Sequence, residues 1–131
     1  MDLTIDTSAV MAVTLGEPLR SELIELTRNV ELMSAPTLPW EVGNALSALF
    51  RRNRIGATDA HDALAALERI PLRLVEIDLT RAVMLAHEHG IYAYDAYVLE
   101  CARRHRTPLL SLDAAQQDVA RALGIDVIEV Q

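Results

Sequence analysis

The sequence contains no lysine, a single cysteine and few aromatic residues. These shortages limit the mechanisms, covalent links and core residues that the chain can have. All 12 basic residues are arginine, which excludes any mechanism that needs a lysine amine. The lone Cys101 excludes an internal disulfide, is typical of a reducing cytoplasm and is expected to be a small core residue. No apolar run approaches the ~18 residues of a membrane span. The N-terminal MDLTID lacks the basic and then apolar start of a signal peptide.

What the chain does contain is a large aliphatic fraction and an excess of acidic residues. Its 131 residues, 51% of them hydrophobic, predict one compact domain over 1–131. The net charge of −7 argues at first against a nucleic-acid partner, but acids dedicated to a metal would inflate that count. Arginines are also grouped locally, and each group is interpreted either as phosphate contacts or as a solvated helix end, with the helix end favoured. The groups are Arg51, Arg52 and Arg54, and Arg103, Arg104 and Arg106.

Short apolar strands alternate with helical stretches along the chain. The pattern predicts strands at 2–6, 30–34, 73–77, 109–112 and 126–130. It predicts helices at 8–15, 18–28, 39–53, 59–69, 79–89, 94–106 and 114–123, with Thr58 as the N-terminal cap of the fourth. This alternation is typical of an α/β fold with a mainly parallel central sheet and helices on both faces. We therefore expect a three-layer α/β/α sandwich.

Four carboxylates fall at equivalent places in this plan. Asp6 ends the first strand and Asp113 follows the fourth, while Glu41 and Asp95 lie in the first turns of two helices. In a parallel sheet these positions share one edge, so the four acids are expected to converge there. Each acid alone has an ordinary explanation as a helix cap or as a partner of a helix dipole, including a capping box of Asp113 with Gln116. Together they would repel one another, which favours a site for a hard divalent ion, Mg²⁺ or Mn²⁺.

The segments around these acids resemble the four motifs of the PIN-domain family. They are Ile5-Asp6-Thr7-Ser8, Pro39-Trp40-Glu41-Val42-Gly43-Asn44-Ala45-Leu46, Tyr92-Ala93-Tyr94-Asp95-Ala96-Tyr97 and Leu110-Ser111-Leu112-Asp113. The order and spacing of the motifs are kept over nearly the whole chain. Ser111 stands where threonine is common, which preserves a hydroxyl. The nearest subgroup is the VapC-type toxin of bacterial toxin–antitoxin pairs.

The resemblance implies a Mg²⁺- or Mn²⁺-dependent endoribonuclease, usually a homodimer, that a cognate antitoxin protein holds inactive. It implies RNA products with 5′-phosphate and 3′-hydroxyl ends. The absence of a long apolar run leads us to expect no membrane partner. The resemblance places metal binding and catalysis on Asp6 and Asp95, assisted by Glu41 and Asp113 directly or through water. The alternative is a binding module that mainly engages the antitoxin, with helices 8–15 and 39–53 lining a groove and with weak or no nuclease activity.

Residues beside the acids carry further expectations. Asn44, three positions after Glu41, either holds Glu41 or a metal-bound water, or is a polar residue at a helix crossing. Trp40 either stacks on a base or is buried between helices, and burial is favoured. Thr7 and Ser8 are expected to be hydroxyl caps of the first helix. A receiver domain and a haloacid-dehalogenase-type phosphatase also gather acids at a sheet edge, but both need the lysine that this chain lacks.

Overall fold

A computed structural model describes residues 1–130, which form a small parallel sheet enclosed by helices; Gln131, the last residue of the predicted domain, lies outside the described residues. The strands are β1 (Asp2–Ile5), β2 (Glu31–Ser34), β3 (Leu72–Leu74) and β4 (Leu109–Leu110). The helices are α1 (Thr7–Thr14), α2 (Arg20–Leu26), α3 (Leu38–Arg51), α4 (Ala57–Arg69), α5 (Leu79–His89), α6 (Ala93–His105) and α7 (Ala114–Ala122). The predicted order of elements is therefore confirmed from β1 to α7.

The strands are all parallel and lie in the order β3-β2-β1-β4, so β1 is central. Side chains of β1 alternate between the two faces of the sheet, as a strand requires. Leu3 and Ile5 pack in an apolar cluster with α1, α2, α3 and α4. Thr4 lies on the other face, where its hydroxyl is 3.6 Å from Sγ of Cys101 in α6. Helices cover both faces, and the three-layer α/β/α fold is confirmed.

The second face of the sheet has its own core, built from α6, α7 and β4. Val98, Leu99 and Ala102 of α6 pack against Leu109 and Ala120. Cys101 is buried beside them, and burial raises the pKa of its thiol to about 11. A thiol with so high a pKa is almost entirely protonated at neutral pH, as expected of a core residue rather than a nucleophile.

The strand expected at 126–130 is wrong. Val127 forms only an isolated parallel bridge with Leu109. Two hydrogen bonds hold that segment, from Leu109 N to the carbonyl of Asp126 (2.8 Å) and from Ile128 N to the carbonyl of Leu109 (2.9 Å). Because β4 has only two residues, it offers too few backbone groups for a longer ladder.

The assignment of Thr58 as a cap is wrong, because α4 begins at Ala57 with Gly56 in the cap position. Asp59 Oδ2 accepts a hydrogen bond from Gly56 N at 2.9 Å. This bond satisfies a backbone N–H group that has no partner within the helix. Within residues 1–130, none of the helices has both the length and the apolar character that crossing a membrane demands.

Candidate active site

Asp6 lies where β1 passes into α1, at the carboxyl edge of the sheet. It caps α1, because its Oδ1 accepts from Ala9 N at 3.1 Å and from the Ser8 hydroxyl at 2.6 Å. Its Oδ2 accepts from the hydroxyl of Ser111. The residue is only 6% exposed, and this burial raises the pKa of its carboxyl despite the three hydrogen bonds that act in the opposite direction. Asp6 is thus both a helix cap and a buried acid that resists ionisation.

Glu41 lies in the first turn of α3, next to the start of α1. The Thr7 hydroxyl donates to its Oε2. Its Oε1 is buried and has no hydrogen-bond partner among residues 1–130. Burial raises the pKa of Glu41 to about 7, with smaller contributions from the charges of Asp95 and Asp6, and outweighs the hydrogen bond from Thr7. Burying a carboxylate oxygen without a hydrogen-bond donor costs free energy, and a hard cation bound to that oxygen would offset the cost.

Asp95 and Asp113 lie at the amino ends of α6 and α7. Asp95 is half-buried, and burial followed by the charge of Asp113 raises its pKa. Asp113 is exposed and caps α7, with Oδ1 accepting from Ala115 N at 2.9 Å and from Gln116 N at 3.3 Å. The expected capping box is only half formed, because the Gln116 amide donates instead to the backbone carbonyl of Asp95 at 3.1 Å. The two amino ends are therefore joined.

The structure brings the four acids close enough for their charges to interact. The charge of Asp113 raises the pKa of both Asp6 and Asp95, and the charges of Asp6 and Asp95 raise that of Glu41. As placed, no three His, Cys, Asp or Glu side chains within residues 1–130 form a group that would hold a metal ion. The carboxylate oxygens, including the unpaired oxygen of Glu41, are hard donors of the kind that a divalent cation binds. In this structure the carboxylates are not close enough together to surround an ion.

Hydroxyl groups hold these carboxylates, a role that sequence reasoning missed. The expectation that Thr7 and Ser8 cap α1 is wrong, because Asp6 is the cap. Thr7 instead donates to Glu41, and Ser8 donates to Asp6 while accepting from Leu112 N at 2.9 Å. The signal available in the sequence was the placement of two hydroxyl residues directly after the first acid.

Two neighbours of Glu41 differ from expectation. Trp40 is 74% exposed, so burial between helices is wrong, and its indole is free to contact a ligand. Asn44 is also exposed rather than placed at a helix crossing. The residue that donates to Glu41 is Thr7, which comes from a different helix.

The arginine groups lie at the opposite helix ends from the acids. Arg51 is ten positions after Glu41 on α3, a rise of about 15 Å along the axis. Arg103 lies in the last turn of α6, a comparable distance from Asp95, and binds Glu100. Because both arginine groups lie far from the carboxylates, we interpret them as solvated or paired helix ends and not as phosphate contacts of the site.

We expect the stability of the metal-free protein to fall as pH rises from about 4.5 to about 7. Glu41 has its pKa raised from 4.5 to about 7, so the folded state favours the protonated form. That advantage is fully present below the unfolded pKa and is lost as pH rises through the folded one. Asp6 and Asp95 act in the same direction from 3.8 upward. Thermal denaturation in EDTA across this range measures the effect.

The matched variant for this measurement is Glu41→Gln, which removes the titrating group and keeps the side-chain length. Its melting temperature should depend less on pH than that of the parent. An identical pH dependence in parent and variant would show that Glu41 does not cause the loss of stability.

Comparisons with known proteins give a family and a fold. The family model described as PIN domain matches residues 3–122. The structure of PAE2754 from Pyrobaculum aerophilum has a TM-score of 0.70 and 21% identity over 91% of this chain and 79% of that one. VapBC2 from Rickettsia felis, bound to a promoter DNA fragment, has a TM-score of 0.69 and 10% identity over 100% of both chains. FitAcB from Neisseria gonorrhoeae has a TM-score of 0.61 and 16% identity over 97% of this chain and 96% of that one.

A search of curated proteins finds no match. At identities of 10–21%, the structural likenesses show the fold alone. The family model, by contrast, spans all four acids and extends from Leu3 in β1 to Ala122 at the end of α7. PIN domains are generally nucleases, which agrees with a group of acids at the sheet edge. The chain belongs to the PIN-domain family.

Proposed function

We propose that the chain is a Mg²⁺- or Mn²⁺-dependent endoribonuclease that acts in the cytoplasm as the toxin of a VapBC-type toxin–antitoxin pair. The observation that carries the proposal is the group of interacting carboxylates at the sheet edge, with a buried oxygen of Glu41 that lacks a donor. Membership of the PIN family supports nuclease chemistry. Toxin–antitoxin complexes among the structures with this fold support the biological setting.

Asp6 and Asp95 are the main metal ligands in this proposal, with Glu41 and Asp113 ligating directly or through water. A bound divalent cation supplies Lewis-acid activation of water and neutralises the charge of the phosphodiester. The protein contributes the negative oxygens and holds them at one edge of the sheet. Their mutual repulsion without a cation is the reason why we expect binding to be favourable.

The hydroxyl groups orient these ligands. Ser8 and Ser111 donate to the two oxygens of Asp6, which fixes the plane of that carboxylate. Thr7 holds Oε2 of Glu41 and leaves Oε1 for the cation. Groups that orient ligands in this way keep a metal site in shape before the ion arrives.

Exposed aromatic side chains next to the acids favour single-stranded RNA as substrate. Trp40, 74% exposed, directly precedes Glu41, while Tyr92 and Tyr94, 83% and 46% exposed, lie just before Asp95. Unpaired bases stack on such aromatic faces, and RNA is most often recognised in single-stranded regions. Stacking can supply binding at an edge that has few positive charges of its own.

The proposal is tested by incubating the purified chain with total RNA in Mg²⁺, in Mn²⁺ and in excess EDTA. We expect cleavage with either ion, none in EDTA, and recovery when the metal is restored. Mapping the ends should find 5′-phosphate groups at the cuts. Single-stranded DNA and duplex RNA with the sequence around a mapped cut serve as controls for substrate class. Cleavage of equal rate in EDTA, or none in any metal, contradicts the proposal.

Two apolar depressions support the proposed antitoxin partner. Residues of α1 line one of about 320 Å³ with α2 and α4, and Arg20 and Arg69 border it. Residues of α3 line a separate one of about 560 Å³ beside Trp40, with Leu64 and Leu74 opposite. Helices α1 and α3 thus each line one of these depressions. Either can accept the apolar face of an amphipathic segment.

The binding-only alternative rests on the same depressions and is separable by experiment. A chain that binds the antitoxin yet cleaves no RNA, with all four acids intact, would favour it. A homodimer is also part of the proposal. Its support is an exposed apolar stripe on α5, where Leu79 and Val83 lie four positions apart and so share a face.

A further inference from the structure

Gln116 is a buried glutamine that joins two helices at the candidate site. It lies in the first turn of α7 and is only 4% exposed. Its Nε2 donates to the backbone carbonyl of Asp95, at 3.1 Å, in the first turn of α6. A helical carbonyl has a second lone pair, so it accepts this bond in addition to its helical one. A buried amide that finds such a partner satisfies a polar group which would otherwise be costly.

The same residue also binds the neighbouring acid through its backbone. Gln116 N donates to Oδ1 of Asp113 at 3.3 Å, and Asp113 caps the helix that carries Gln116. One residue thus contacts the carboxylate of Asp113 and the backbone of Asp95. These two acids are 18 positions apart in sequence and come from different helices.

The location of this link matters because the apolar residues of α7 that pack with α6 lie toward the carboxyl end of α7. Val98, Leu99 and Ala102 of α6 pack in one cluster with Ala120, and Leu123 also packs against a second cluster that contains Ala96. At the amino ends, the acids repel one another and tend to separate. The Gln116 amide opposes that separation where the carboxylates are.

We propose that Gln116 is a positioning residue that sets the distance between Asp95 and Asp113 and so keeps both within reach of one divalent cation. The inference rests on the proposed function for the identity of the ligand, and on the hydrogen bonds for the geometry. Gln116 does not itself contact the substrate or the ion. It acts through the two acids.

The test compares Gln116→Met with Leu123→Ala. Methionine keeps the volume of glutamine and removes the donor, whereas Leu123→Ala removes apolar packing at the other end of α7 and leaves the hydrogen bonds of Gln116 in place. We expect Gln116→Met to weaken Mn²⁺ binding, measured by calorimetry with Mn²⁺ alone, by about 10-fold, the lower range for groups that orient metal ligands. Leu123→Ala should lower the melting temperature and leave Mn²⁺ affinity unchanged. In cleavage assays, Gln116→Met should lower kcat more than it raises KM.

Hydrogen exchange in the metal-free protein separates this inference from the proposed function. Gln116→Met should speed exchange at the first turns of α6 and α7 more than Leu123→Ala does. If the parent binds no Mn²⁺ and cleaves no RNA, the proposed function fails, and the exchange data still decide whether Gln116 fixes the two helix ends. Unchanged exchange at those turns, or Mn²⁺ affinity that Leu123→Ala weakens as much as Gln116→Met, overturns the inference.

Discussion

Replacing Asp6 or Asp95 by asparagine is expected to abolish RNA cleavage while the fold is retained. Asparagine has nearly the same shape as aspartate but lacks the charge that a hard cation requires. Groups that merely orient metal ligands contribute 10–100-fold, so the loss of a direct ligand should exceed ~100-fold. Initial rates of cleavage at saturating Mn²⁺ measure this effect. Full activity in both variants would refute the assignment of these acids.

Asp6→Asn should at the same time be more stable than the parent in EDTA at neutral pH. Burial of Asp6 and the nearby charge of Asp113 both oppose its ionisation, and the amide carries no charge. Asparagine caps a helix about as well as aspartate, so the contact with Ala9 N is kept. A lower activity together with a higher melting temperature is expected when the replaced acid serves function at a cost in stability. A variant that loses both would indicate a mainly structural carboxylate.

The matched control is Asp62→Asn, which makes the same chemical change on the exposed surface of α4. It should cleave RNA at the rate of the parent and melt at nearly the same temperature, because exposed substitutions away from special features change stability little. A similar loss of cleavage in this control would show that net charge, rather than the sheet-edge acids, sets the rate.

The sequence pattern was sufficient to predict most of the fold because the signals are local. Apolar runs of strand length, helical periodicity and the acids at element ends are all visible within a few residues. The same logic placed Asp6 and Glu41 on one edge, since parallel topology determines where strand ends and helix starts meet. The segment 126–130 failed because pairing depends on the length of its neighbour. β4 proved to be two residues long.

Contacts between residues far apart in sequence could not be predicted in the same way. The bond from Thr7 to Glu41 spans 34 positions, and that from Ser111 to Asp6 spans 105. A hydroxyl beside an acid looks locally like a helix cap, and Gln116 looks like half of a capping box. Which partner each side chain chooses depends on how the helices pack. Tertiary structure, not local pattern, therefore determines how these carboxylates are held.

Removing the side chain of Arg103 is expected to destabilise the protein strongly, because it leaves a charge buried in α6. Glu100 has a side chain that is 0% exposed, and Arg103 Nε donates to its Oε1 at 2.5 Å. Arg103 Nη2 donates to Oε2 at 3.0 Å, so both carboxylate oxygens are bound. Breaking one partner of a buried pair costs about 3–5 kcal/mol. Since the Arg103 side chain is itself 37% exposed, we expect Arg103→Met to lie at the lower end, about 3 kcal/mol.

A double-mutant cycle distinguishes the cost of the unpaired charge of Glu100 from the other effects of replacing Arg103. In Glu100→Gln the amide oxygen still accepts from Arg103 and no anion is buried, so this variant should lose less stability than Arg103→Met. Adding Glu100→Gln to Arg103→Met removes the unpaired charge and should restore part of the loss. Urea unfolding of the four proteins gives the coupling free energy. Equal destabilisation by Arg103→Met with or without Glu100→Gln would show that the unpaired charge of Glu100 is not the cause of the lost stability.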